Sequence, residues 1–351
     1  MQSGKSGNIP EFAWPLLLLL AIMALLLLST PQSAEEVETP LPPHLYSSSF
    51  QLIGTGNRLG TYYPVGGILS DWFNSHCEAS GGVFSAIETN GSVDNVRLLV
   101  QGRLMLGMTE SRIVRESWQA NASSPLRLVW PLWNDVVHLV KAPASFAPSR
   151  EFPGHLRGFL GQKNSSTYRT SKEILDALGV SKDFSTLELP PDRVLTAVST
   201  GQIGFATIQA GMPNRTVSDA LIFNDCSLIS LDDRQIMSVL AKVATARLFS
   251  IPAGFYGDSQ PAIQTIGLPN VLITTDKTPA ATIELLTDLL VKASSHLRMK
   301  HQAIAAIPAD PARGLAILKE TGVPIHQGTL DWLAKNLPAS GTFQEGGPDG
   351  R

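Results

Sequence analysis

Charge is scarce and unclustered in this 351-residue sequence: charged side chains make up 16%, the net charge is −3, and no run of lysine and arginine occurs. Recognition of a phosphate backbone needs a basic patch, so nucleic acid is excluded as a partner. Cysteine is scarcer still, with only Cys77 and Cys226. That count rules out a paired-cysteine metal site and leaves at most one disulfide. The motifs G-x-S-x-G, H-E-x-x-H and the P-loop lysine are all absent. The seven histidines are scattered, and His296 and His301, five apart, do not share a helix face. We therefore expect no catalytic constellation, no metal and no cofactor: a binding protein, not an enzyme.

Apolar residues, by contrast, are plentiful at 43%, and the length suggests two globular halves of about 150 residues each. Residues 12–28 (FAWPLLLLLAIMALLLL) are apolar without a break and preceded by Lys5. Such a run inserts into a bilayer, as a signal peptide or as an uncleaved anchor. Ala34 is the best cleavage site, but Gln32 at −3 makes it poor, which leans towards an anchor with the folded part on the far side of the membrane. We expect 1–34 to be signal or anchor and 35–48, rich in proline and glutamate, to be a linker. The glycine-rich tail at 338–351 is expected to be disordered.

From residue 50 short apolar runs alternate with amphipathic stretches, the pattern of an α/β fold with mostly parallel strands. Residues 50–54 read as a strand, followed by a glycine-rich turn and a helix with Ile68, Leu69, Trp72 and Phe73 on one face. A second strand ends near Thr89, and Ser92 caps a helix carrying Val93, Val96 and Val100, closed by Gly102. Residues 126–140 contain an extended stretch. Thr170 and Glu173 form a capping box opening a helix that stops at Gly179. Pro191 starts a helix with Val194, Leu195 and Val198, ended by Gly201 and followed by a strand at 203–208. A strand at 271–275 precedes the longest helix, opened by Thr278 and Pro279, with Ile283, Leu286, Leu290, Ala293 and Leu297 in one stripe.

Between the first strand and helix lies GTGNRLG, with Gly54, Gly56 and Gly60. Its spacing departs from the dinucleotide fingerprint, although Glu88 near the next strand end could be cast as a ribose ligand. Three readings stand: a nucleotide loop, a plain structural turn, or backbone amides at a helix N-terminus that favour any anion.

The stretch from this loop onward, GTGNRLGTYYPVGGILSDWFN, resembles the opening signature of the TAXI family, the immunogenic extracytoplasmic receptors of TRAP transporters. The resemblance continues in order through 89–102 (TNGSVDNVRLLVQG), 130–141 (WPLWNDVVHLVK), 199–214, 251–275 and 323–336. It implies a two-lobed, periplasmic-binding-protein-like clamshell of type II, with 49–139 and 263–337 as lobe one and 140–262 as lobe two. The implied function is a periplasmic receptor, free or tethered by its N-terminus, that captures a small organic acid, glutamate-like or another carboxylate. The solute would pass to the membrane subunits of a TRAP permease. The alternative is a membrane-anchored sensor, or a homologue of the same fold uncoupled from transport. Cys77 and Cys226 would then sit on different lobes, where a bridge would lock the clamshell, so two buried thiols are expected.

Open α/β sheets hold ligands in loops at the carboxyl ends of their strands. The candidates are Thr55, Gly56, Arg58, Thr61 and Tyr62 in the first loop, and Asn90, Gly91 and Ser92 in the second. Asn164, Ser165, Ser166 and Thr167 follow in lobe two, and Glu110 and Gln209 sit at strand ends, suited to a ligand amine. Caps and turns use the same hydroxyl and amide residues, so a local structural role competes at each. Arg58 is the sharpest candidate, a guanidinium able to clamp a carboxylate through two parallel bonds; a solvated loop arginine is the alternative. The sequence departs from the family at Asn164, Ser165, Ser166 and Thr167, which replace Gly-Ser-Gly-Thr, and at Arg112, where an Asp is usual. These departures bear on ligand identity.

Overall fold

The computed structural model describes residues 50–77, 83–121, 123–146, 157–181 and 185–337. The apolar run at 12–28, the Ala34 site, the linker and the tail lie outside the described residues. Among those described, no helix is long and apolar enough to cross a membrane.

β1 (Phe50–Gly54) pairs in parallel with β2 (Val83–Ile87) on one side and β3 (Leu106–Glu110) on the other. The helix after β1, α1 (Tyr62–His76), buries Val65, Leu69 and Phe73, with Ile68 and Trp72 at the margin of the same face. α2 (Ser92–Val100) departs from expectation. Val93 and Val100 are 45% and 49% exposed, and the buried face is Asn95, Val96, Leu98 and Leu99. Ser92 is the first helical residue, not the cap; its Oγ accepts from the Glu110 backbone N–H at 3.0 Å. α3 (Ser111–Ala120) leads into β4 (Leu126–Lys141).

β4 and β10 (Ile263–Thr275) are long antiparallel strands buried along nearly their whole length, and they run through both halves of the molecule. At one end β10 pairs with β3; at the other it pairs with β9 (Arg247–Ile251). The register slips between Pro269 and Val271, as suits a residue with no N–H to give the ladder. The remaining strands are β5 (Arg157–Phe159), β6 (Ser185–Thr186), β7 (Phe205–Ala210) and β8 (Ser227–Leu228). The full order is β2-β1-β3-β10-β4-β7-β5-β6, with β8 also on β4.

Around the second half pack α4 (Ser166–Ala177), α5 (Val194–Ser199), α6 (Arg215–Phe223) and α7 (Asp233–Lys242). The chain then returns to the first half as α8 (Ala280–His296), α9 (Gln302–Ala305), α10 (Pro311–Thr321) and α11 (Gln327–Asn336). α8 buries Ile283, Leu286, Leu290 and Ala293, the expected stripe. α4 begins four residues before the expected box. Its cap is Ser165, which accepts from Tyr168 N–H, and Thr170 and Glu173 lie inside the helix, where Arg112 claims both. Tertiary partners outbid the local cap.

One continuous core occupies the first half, from Ile53 through Trp133 and from Val271 through Leu333. Trp130 is its largest fully buried side chain; its indole donates to Pro308 O at 2.9 Å and meets Trp332 edge-on. Gly314 lets α10 lie against that ring, since a Cβ there would sit 2.3 Å from it. The second half has several smaller clusters, built on Val136, Val140, Phe205 and Val239. The architecture is a mixed α/β fold of two lobes. Cys77 belongs to the first core and Cys226 to the second, both buried and unbridged.

Candidate functional site

Between the lobes lies a cleft of about 430 Å³, a size suited to a small molecule. Three loops at strand ends form its walls: 56–62 after β1, 88–92 after β2 and 161–167 after β5. Asp135 on β4 and Thr207 to Ala210 on β7 form the floor, and Phe159, Pro191 and Val194 give an apolar side.

Of the expected residues, Gly56, Thr61, Tyr62, Asn90, Gly91, Ser92, Ser165, Ser166, Thr167 and Gln209 line this cleft. Four do not. Thr55 is buried beneath the loop, its hydroxyl donating to Ile87 O at 2.5 Å. Arg58 points outward, pairing with Glu88 at 2.8 Å and lying over Tyr63. Glu110 is fully buried behind the floor, held by Arg112 at 3.1 Å and by Gln209 Nε2 at 3.0 Å. Asn164 faces the neighbouring groove beside Lys163 and Glu188. It takes φ of +66°, a conformation Asn tolerates better than most residues. Gly91, at φ +87°, lets the second loop turn into α2.

The lobes also touch directly. Thr61 Oγ1 donates to Gly211 O at 3.2 Å, and Asn214 Nδ2 donates to Leu59 O at 3.2 Å. To one side Arg112, only 1% exposed, bonds Glu110 in its own lobe and Thr170 and Glu173 in the other. Arg169 of α4 adds a two-pronged pair to Glu116 of α3, both bonds at 2.6 Å.

Asp135, which sequence reasoning missed, is the most perturbed acid in the cleft. Burial pushes its carboxyl up to about 7, the nearby Glu110 charge adds to this, and the Trp133 indole and Asn270 amide pull the other way. Burial, with the Asp135 charge second, drives the Tyr62 phenol well up; its hydroxyl donates to Asn270 Oδ1 at 2.7 Å. Nothing in the segment WPLWNDVVHLVK marks Asp135 as a cleft residue, because its position depends on how β4 crosses between lobes. Among the described residues no group of three or more His, Cys, Asp or Glu is placed to hold a metal.

Residues 53–333 match the NMT1-like family. The chain belongs to that family. This NMT1-like chain is also similar in structure to a protein of Bordetella bronchiseptica RB50, at 16% identity and TM-score 0.48, covering 83% of this chain and 90% of that one. A second similarity is to the alkanesulfonate-binding protein SsuA of Xanthomonas axonopodis pv. citri bound to MOPS, at 17% identity and TM-score 0.41, covering 83% and 86%. A third is to a TctC solute-binding protein from Polaromonas, at 13% identity and TM-score 0.45, covering 82% and 98%.

Proposed function

We propose that this NMT1-like chain is an extracytoplasmic solute-binding receptor. It holds a small polar solute between its lobes and presents it to membrane transport subunits, of the TRAP type that the TAXI-like sequence segments imply. The observation that supports the reading is the cleft itself: loops from both lobes converge on it, and β4 and β10 pass beneath as the crossover that a clamshell hinge requires.

The organic-acid reading draws on the resemblance and on Ser92 and Ser165 to Thr167 at the N-termini of α2 and α4, where anions are favoured. The charges of the cleft oppose it, since its described lining includes Glu88, Asp94 and Asp135 and neither lysine nor arginine. A solute panel followed by melting and small-angle scattering tests receptor function. A binder at a hundredfold excess over its Kd adds about 2.7 kcal/mol to the folded state. A reduced radius of gyration with that shift supports capture by closure; a nucleotide as the only compound to act would replace this reading with the glycine-loop one.

A further inference from the structure

Charge in the cleft is unevenly compensated. At its mouth Glu88 has Arg58 at 2.8 Å and Asp94 has Arg97 at 2.6 Å, while Lys163 nearby is held by Glu188. Asp135 differs. It is 7% exposed, accepts a hydrogen bond from Trp133 Nε1 at 3.0 Å, has the Asn270 amide beside it as a second neutral donor, and has no cation paired with it among the described residues. The charged and titratable groups that reach it are Glu110 from β3 and Tyr62 from α1, and neither is positive.

Two more polar atoms of the floor have no partner among the described residues. One is Thr207 Oγ1, on a residue 2% exposed; the other is Gln209 Oε1. Gln209 has committed one Nε2 hydrogen to Glu110, and its Oε1 is an unfilled acceptor. The β4–β7 register sets Val137 opposite Gln209, which places Asp135 diagonal to Gln209 on the same sheet face. Buried carboxylates and lone acceptors are costly unless a donor satisfies them.

We propose that Asp135 is the counter-charge for a protonated amine of the captured solute, with Gln209 Oε1 and Thr207 Oγ1 accepting its other N–H bonds. This deepens the receptor reading and rests on it. An ammonium brings one positive charge and three donors to one uncompensated negative charge and a set of unfilled acceptors. A carboxylate brings the reverse. Asp135 is ionised above neutrality, and a primary amine stays protonated to about pH 10. Amine affinity therefore rises with pH between 5.5 and 8. His138, lowered to about 4 by burial, stays neutral throughout and does not contribute.

Calorimetric titration of the full chain with putrescine, cadaverine, agmatine and 5-aminopentanoate, against glutarate and pentanoate, tests this. The expected result is binding by one or more amines that weakens about thirty-fold or more in Asp135→Asn, several-fold in Thr207→Val, and on lowering the pH to 5.5. Asp135→Asn keeps the side-chain shape and the acceptor for Trp133, and its melting curve checks that it folds. Amine-free acids that bind the wild type, and bind Asp135→Asn as well or better, would overturn the amine assignment and leave the receptor standing. A panel in which nothing binds either protein would overturn the receptor reading, and the amine with it.

Discussion

The seam between α3 and α4 and the mouth of the cleft are both stitched by arginine and carboxylate, and burial separates them. At the seam Arg112 is enclosed, with Glu110 behind it and Thr170 and Glu173 across the lobe boundary. At the mouth Arg58 and Glu88 form a pair of similar length in open water. In low dielectric the loss of one partner strands a charge; in water the solvent takes its place. A third case lies between them, Asp135, which is enclosed like Arg112 but has no partner ion among the described residues.

The largest effect that could break this comparison is at the seam. Arg112→Ala leaves Glu110 buried with Gln209 alone and is expected to cost about 3–5 kcal/mol in urea unfolding, or roughly 6–20 °C in the melting midpoint. Replacing the partner as well, Glu110→Met with Arg112→Met, should recover part of that loss, since no charge is then stranded. If the single variant melts like the wild type, enclosure is not what matters.

Asp135→Asn comes next and has the opposite sign. The folded-state pKa of about 7 lies above the unfolded value, so the wild type loses stability as pH rises from about 4 to 7. The Asn variant lacks this loss and should gain on the order of 2–4 kcal/mol over wild type at pH 8, with little difference at pH 4. His138 supplies a counterweight. Its imidazole, bonded to Tyr256 Oη at 2.9 Å, is lowered to about 4 by burial. Its contribution is therefore lost as pH falls from about 6.5 to 4. In His138→Gln that acid-side loss should flatten in pH-dependent unfolding; an unchanged slope would mean the ring is already solvated.

How much of this was legible in the sequence depended on the range of the cause. β1, its loop and α1 follow from a local alternation, and ten of the fourteen expected cleft residues line it, nine of them in the loops and helix starts that follow strands and the tenth, Gln209, on β7 itself. Local signals failed where a distant residue intervened. Thr170 and Glu173 make a sound capping box on paper, but Arg112, 58 residues away from Thr170, takes the hydroxyl. Val93 and Val100 keep helical spacing, yet the helix turns Asn95 inward because its amide donates to Thr55 O and Met108 O. Arg58 has the right chemistry for a ligand carboxylate and spends it on Glu88, 30 residues on. Asp135 could not be found because what marks it is that no cation lies near it among the described residues, a property of the assembled cleft.

The smallest expected effect returns to the mouth. Arg58→Ala should leave the melting midpoint and solute affinity close to wild type, with any change fading as salt is added. A large loss of affinity there would reverse the comparison and restore Arg58 as a ligand clamp.

Hydrogen exchange with and without the tightest solute of the panel tests the central claim, capture between the lobes, most directly. The account predicts slowed exchange in all three wall loops, 56–62 and 88–92 in one lobe and 161–167 in the other, with α8, remote from the cleft, unchanged. Protection confined to the loops of one lobe would contradict it.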